Sequence, residues 1–182
     1  MALIDRLLRR APKDPYWDRF VNGPLNDPLN DASDSYRNAP PGSVFPVRTA
    51  IPEPSRMARD LAQFAVFMGA SGLTASGTEA GALRPAPGAG AGPGALAEDF
   101  PYTIVMPVPA EVDPARSPGV GGQEPRRLSA LVNHAVSSYI RELGYGAIVC
   151  PIEATGYRSK EKTFVGDAVL TDVPLAIGTP EV

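Results

Sequence analysis

The chain has 182 residues, 43% of them hydrophobic, which is enough for one soluble domain with a real apolar core. Seventeen basic and twenty acidic residues give a formal charge of −3, so there is no general attraction to nucleic acid or to an anionic membrane. A single cysteine, Cys150, excludes an internal disulfide framework and any zinc or iron–sulfur site built from this chain alone, and it suggests a cytoplasmic protein. No run approaches the roughly 20 apolar residues of a membrane-spanning helix.

The first ten residues read as a short amphipathic helix, with Leu3, Leu7 and Leu8 or Ile4 on one side and Arg6, Arg9 and Arg10 on the other. Arg9-Arg10 has the form of a twin-arginine signal, but Ala11-Pro12-Lys13 follows where an apolar stretch should begin, so a cleaved signal is not expected. Proline (21) and glycine (18) make up about a fifth of the chain, against an average of roughly 12%, and gather at the front and in one insert. Residues 1–52 are therefore predicted to form a long extended arm, rich in Asn, Asp, Pro and Gly, with the two PLND repeats at 24–31 read as successive turns. Tyr16, Trp17, Phe20, Tyr36 and Phe45 are too many large aromatics for a purely disordered tail, and they should dock on a partner protein or a second copy.

Residues 53–182 form the predicted α/β domain. Pro54 suits the first turn of a helix carrying Met57, Leu61, Phe64, Ala65 and Met68 at helical spacing, with Gly69 as its stop and a short strand within 72–76. The stretch 79–97 contains RPAPGAGAGPGA and reads as a flexible insert that buries almost nothing; its match to the dinucleotide pattern G-x-G-x-x-G/A lacks a preceding strand. Tyr102 to Pro109 is a nearly continuous apolar run, expected as a central strand that leaves its sheet at Pro107. A second helix is predicted to begin near Pro125 and to carry Leu128, Leu131, Val132, Ala135, Val136, Tyr139, Ile140 and Leu143 on its buried face. Gly144 fits the left-handed position after it, residues 146–151 the next strand, and 168–171 a last strand closing a mixed sheet.

Candidate chemistry is sparse. His134 is the single histidine and projects away from the core positions, toward solvent, the insert or a partner, so no nucleophilic triad or metal site is predicted. Cys150 reads as a small buried hydrophobe, Glu111 with Asp113 and Asp167 with Asp172 as turn carboxylates, and Arg158, Lys160 and Lys162 as a solvated face. Tyr145, Tyr157 and Arg158 lie near the ends of a helix and a strand, where α/β sheets form ligand sites, and are the candidate cofactor-binding residues.

Four segments carry a family resemblance. SSYIRELGYGAIVC (137–150) resembles the helix and strand before the cluster-binding part of cobalamin-dependent reductive dehalogenases, which share a core with epoxyqueuosine reductases. DFPYTIVMPVPAEVD (99–113) is similar to the preceding strand and acidic turn, MARDLAQFAVFMGASGLTAS (57–76) to an earlier helix and its turn, and VLTDVPL (169–175) to the segment before the first cysteine cluster. The resemblance covers roughly two-thirds of the chain. It implies a nitroreductase-like core with flanking helices, cobalamin as the cofactor, and electrons delivered through iron–sulfur clusters. With one cysteine here, those clusters would come from a partner subunit. No tyrosine lies between Tyr102 and Tyr139 to match the family's proton donor, and the glycine-rich passage between Ser159 and Asp167 is short, so catalytic residues are unassigned. Two readings follow: a corrinoid-domain subunit of a multi-chain oxidoreductase, or a non-catalytic scaffold or assembly protein that keeps the fold without the cofactor. A flavin enzyme on the same scaffold would need a phosphate motif that the chain lacks.

Overall fold

The computed structural model describes residues 28–40, 42–84, 92–117 and 119–181. The readings of residues 1–10, of the first PLND repeat and of Tyr16, Trp17 and Phe20 lie outside these residues. The second PLND opens a helix, α1 (Pro28–Arg37), where the sequence suggested only a turn. Its Asn, Asp and Ser content disfavours a helix locally, and the segment forms one because it packs along a longer helix.

Helix α2 (Pro54–Phe67) begins on Pro54 as expected, since proline's missing N–H is one of the helix's unpaired donors in any case. It buries Met57, Ala58, Leu61, Ala62 and Ala65. The chain then forms β1 (Thr74–Gly77), a 3₁₀ turn (Ala80–Ala82), α3 (Pro93–Asp99), β2 (Tyr102–Val105) and β3 (Val108–Pro109). Helix α4 (Val120–Glu142) precedes β4 (Ala147–Cys150), β5 (Gly156–Arg158), β6 (Thr163–Val165) and β7 (Ala168–Thr171).

The main sheet has the order β1-β2-β7-β4 and is antiparallel at every pairing, correcting the expected mixed sheet. Strands β2 and β4, joined through α4, do run in the same direction, because each is antiparallel to β7. They never pair, because β7 lies between them: Val169 stands opposite Ile104 on one side and Val149 on the other. The second sheet, β3-β6-β5, is also antiparallel. Leaving the first sheet at Met106-Pro107 and entering the second at Val108 is the departure anticipated at Pro107.

Alternation along the strands divides two apolar clusters. Ile104, Ala147 and Val169 join α2 and α4, where Leu61, Val132, Val136 and Ile140 are fully buried. Cys150, Ala168 and Leu170 face the other way, onto Leu83, Leu96, Ile152 and Val165. Leu83 and Leu96 belong to the region read as an unstructured insert. Its described parts instead cover the second face of the sheet, with Leu83 bridged to Ile152 and Pro93 opening α3.

Two further boundaries differ from the sequence reading. Helix α4 starts at Val120, so Pro125 lies inside it rather than in its first turn. Its start is set by a close approach, since a Cβ on Gly122 would fall 1.7 Å from the Ser117 carbonyl oxygen. At its other end Gly144 takes φ +86° and ends the helix as predicted.

Candidate functional site

A cleft of about 350 Å³ opens between α1, the loop at 113–115, α4 and the β5–β6 hairpin. Tyr157 and Phe164, opposite each other across the β5–β6 pair, supply its aromatic wall. Its floor is Ser129, Gly166 and Asp167. The backbone passes close to α4 there, since a Cβ on Gly166 would lie 2.4 Å from the Ser129 hydroxyl and that side chain would have to shift.

Asp167 organises the cleft. Its carboxylate is 7% exposed and receives two hydrogen bonds from Arg37, Nε at 2.8 Å and Nη2 at 2.9 Å. This bidentate pair ties α1 to the turn before β7, and the hydrogen bond with Asp167 holds the Arg37 guanidinium above its ordinary pKa. Beneath it Asn133 donates from Nδ2 to the Asp167 carbonyl at 3.0 Å, while its own Oδ1 is buried without a partner. Thr155 donates to the Gly166 carbonyl at 2.9 Å and fixes the hairpin base.

The three candidate cofactor residues are not brought together. Tyr157 lines the cleft. Tyr145 is buried; its hydroxyl donates to the Thr49 carbonyl at 2.8 Å and the Arg48 guanidinium sits 5.1 Å above its ring. Arg158 is exposed and faces Glu161 at 3.7 Å. His134 meets α1, its ring 5.8 Å from that of Tyr36. Asp113 does accept a local backbone N–H, from Ala115 at 3.0 Å, whereas Asp172 reaches Gly146 N at 2.6 Å and Arg48. The role of Arg37 had no sequence signal, because its partner lies 130 positions away.

A second, smaller hollow of about 150 Å³ lies on the other side of the α1–α4 contact, with Tyr36, Arg37, His134, Ser137 and Arg141 among its lining residues. Among the described residues no group of three or more His, Cys, Asp or Glu side chains could hold a metal ion, and no helix is long and apolar enough to cross a membrane.

No family model matches the chain, and no curated protein matches it. Solved structures do. The "catabolic reductive dehalogenase NpRdhA, N-terminally tagged" shares 18% identity at a TM-score of 0.58, over 85% of this chain and 25% of that one. The same enzyme in complex with 3-bromo-4-hydroxybenzoic acid gives 17% identity and a TM-score of 0.63, over 89% and 27%. A third structure, described as suggesting a mechanism for B12-dependent dehalogenation, gives 18% and 0.58, over 85% and 25%. The chain thus spans about a quarter of the length of these dehalogenases, and what it shares with them is the fold.

Proposed function

We propose that this chain is a corrinoid-domain component of a reductive-dehalogenase-type oxidoreductase, acting with a partner subunit that supplies the iron–sulfur clusters. The observation that carries this reading is a fold likeness to B12-dependent dehalogenases running through 85–89% of the chain. The nitroreductase-like character of the core, a cytoplasmic location and association through the N-terminal segment belong to the same reading.

The cleft beside Tyr157 is at the small end of ligand pockets, which span roughly 300–1,000 Å³ for drug-sized molecules, and a corrinoid ring is larger than those. The described residues do not enclose one. In this reading Tyr157 and Phe164 form one wall, and a second polypeptide completes the site. Tyr145 and Arg158, first grouped with Tyr157, would contribute through the support they give to the core and the hairpin.

The scaffold reading is favoured by one specific observation: Asp167, the most deeply buried carboxylate of the cleft, is already engaged by Arg37 within the chain. Purification with candidate partner chains, followed by addition of cobalamin and visible spectroscopy, separates the two. A corrinoid band comigrating with the complex is expected. Should neither the isolated chain nor any complex take up corrinoid, the component reading fails and the scaffold reading stands.

A further inference from the structure

Arg141 is only 5% exposed, yet among the described residues no carboxylate forms an ion pair with it. Nη1 donates to the Ala147 carbonyl at 2.8 Å and Nη2 to the Ser138 hydroxyl at 3.1 Å. Both acceptors are neutral. Burial alone acts on its pKa, pushing it down. The C-terminus of α4 offers about half a negative charge at most, and buried charges in folded proteins are otherwise paired.

Arg141 lines the hollow of about 150 Å³ between α1 and α4. Among the described residues the charged and titratable groups lining this hollow are Arg37, Arg141, His134 and Tyr36, with Ser137 beside them and no carboxylate. The larger cleft differs in this respect, since Asp34, Asp113 and Asp167 all line it. Arg37 turns its Nε and Nη2 to Asp167, which leaves Nη1 free of that pair. Two helices therefore each bring an arginine to the hollow, a lining suited to a multiply charged oxyanion more than to a singly charged carboxylate.

We propose that the hollow between α1 and α4 is a phosphate-type oxyanion site in which Arg141 supplies the buried charge and Arg37 the second cation. The volume admits a single small oxyanion, free or as the exposed phosphoryl group of a larger molecule. Binding would clamp α1 to α4, because the anion touches both helices.

The test is the thermal unfolding of the full chain with increasing inorganic phosphate, with sodium chloride added to hold ionic strength constant, and in parallel with dimethyl phosphate and with acetate. For wild type a saturable rise in Tm with inorganic phosphate is expected, with none for acetate. A rise with dimethyl phosphate as well would identify a phosphodiester-bearing ligand; its absence would identify free phosphate or a monoester. Arg141→Met should abolish the response while keeping or raising Tm in phosphate-free buffer, because it removes an uncompensated buried charge. Arg141→Gln, which retains a donor for the Ala147 carbonyl, should abolish it too and provides a second folded variant. Arg37→Ala should weaken the midpoint at least threefold. A wild-type response no larger than that of both Arg141 variants, or one matched by acetate, would overturn the proposal.

Discussion

The Tyr145 hydroxyl donates to the backbone carbonyl of Thr49, 96 positions earlier in the chain, at 2.8 Å. Arg48 covers the same ring and also reaches Asp172, whose other oxygen accepts the Gly146 N–H. One tyrosine thus fastens the segment before α2 to the end of α4. Tyr145→Phe should lower stability by about 1 kcal/mol, the usual net value of such a bond. Arg48→Ala should cost about 0.5–1 kcal/mol through the lost ring contact. Urea unfolding of both variants and of the double variant measures each effect and their coupling.

Gly144→Ala is expected to be far more damaging than its size suggests. Gly144 has φ +86°, and a Cβ there would lie 2.5 Å from the Val47 carbonyl oxygen and 2.7 Å from the Arg48 Cα. Backbone must move on both sides, so a loss of about 2 kcal/mol or more is predicted. Gly72→Ala, with nothing within 4 Å of the added carbon, is the control and should be nearly neutral. Equal midpoints for the two variants in denaturant would contradict the close approach described above.

Burial pushes the Cys150 thiol above its ordinary pKa of 9.0, and the Asp167 charge pushes it the same way. A thiol kept neutral in the fold contributes stability that is fully present below the unfolded pKa and is lost as pH rises through the folded one. Unfolding midpoints should therefore fall above about pH 9 more steeply for wild type than for Cys150→Ala. Parallel curves for the two proteins between pH 8 and 10.5 would show that the thiol contributes nothing.

Leu170→Ala should cost about 2–5 kcal/mol, the range for an emptied leucine site in a core. Leu170 is fully buried on β7, opposite Thr103 on one side and Ile148 on the other. Val66→Ala, at an exposed position of α2, should change little. Thermal unfolding of the pair checks whether β7 holds the sheet together.

The elements legible in the sequence were those whose apolar spacing is long or unbroken: α2, the body of α4, and the strands within 102–109, 146–151 and 168–171. Gly144 was legible because a helix end requires what glycine alone adopts freely. What escaped was built by distant contacts. Residues 28–37 carry Asn, Asp and Ser that favour turns, and become α1 only against α4. β5 and β6 are three residues each, and Arg158 and Lys162 beside them look like a solvated loop. The antiparallel order was hidden because nothing local in 168–171 says that it inserts between β2 and β4. Of the three candidate site residues, only Tyr157 reached the cleft. Tyr145 had the aromatic chemistry of a ligand contact, but its hydroxyl is used by backbone near residue 49. Arg141 was hidden inside a helix where a surface arginine is the ordinary expectation.

The residues that hold α1 and the segment before α2 come late in the chain. Arg37 waits for Asp167, Thr49 for Tyr145 and Arg48 for Asp172, at separations of 130, 96 and 124 positions. During synthesis, which runs from the N-terminus at about 5–20 residues per second, residues 37–49 leave the ribosome several seconds before the residues that receive them. Residues 37–49 are thus made before the residues that hold them in place.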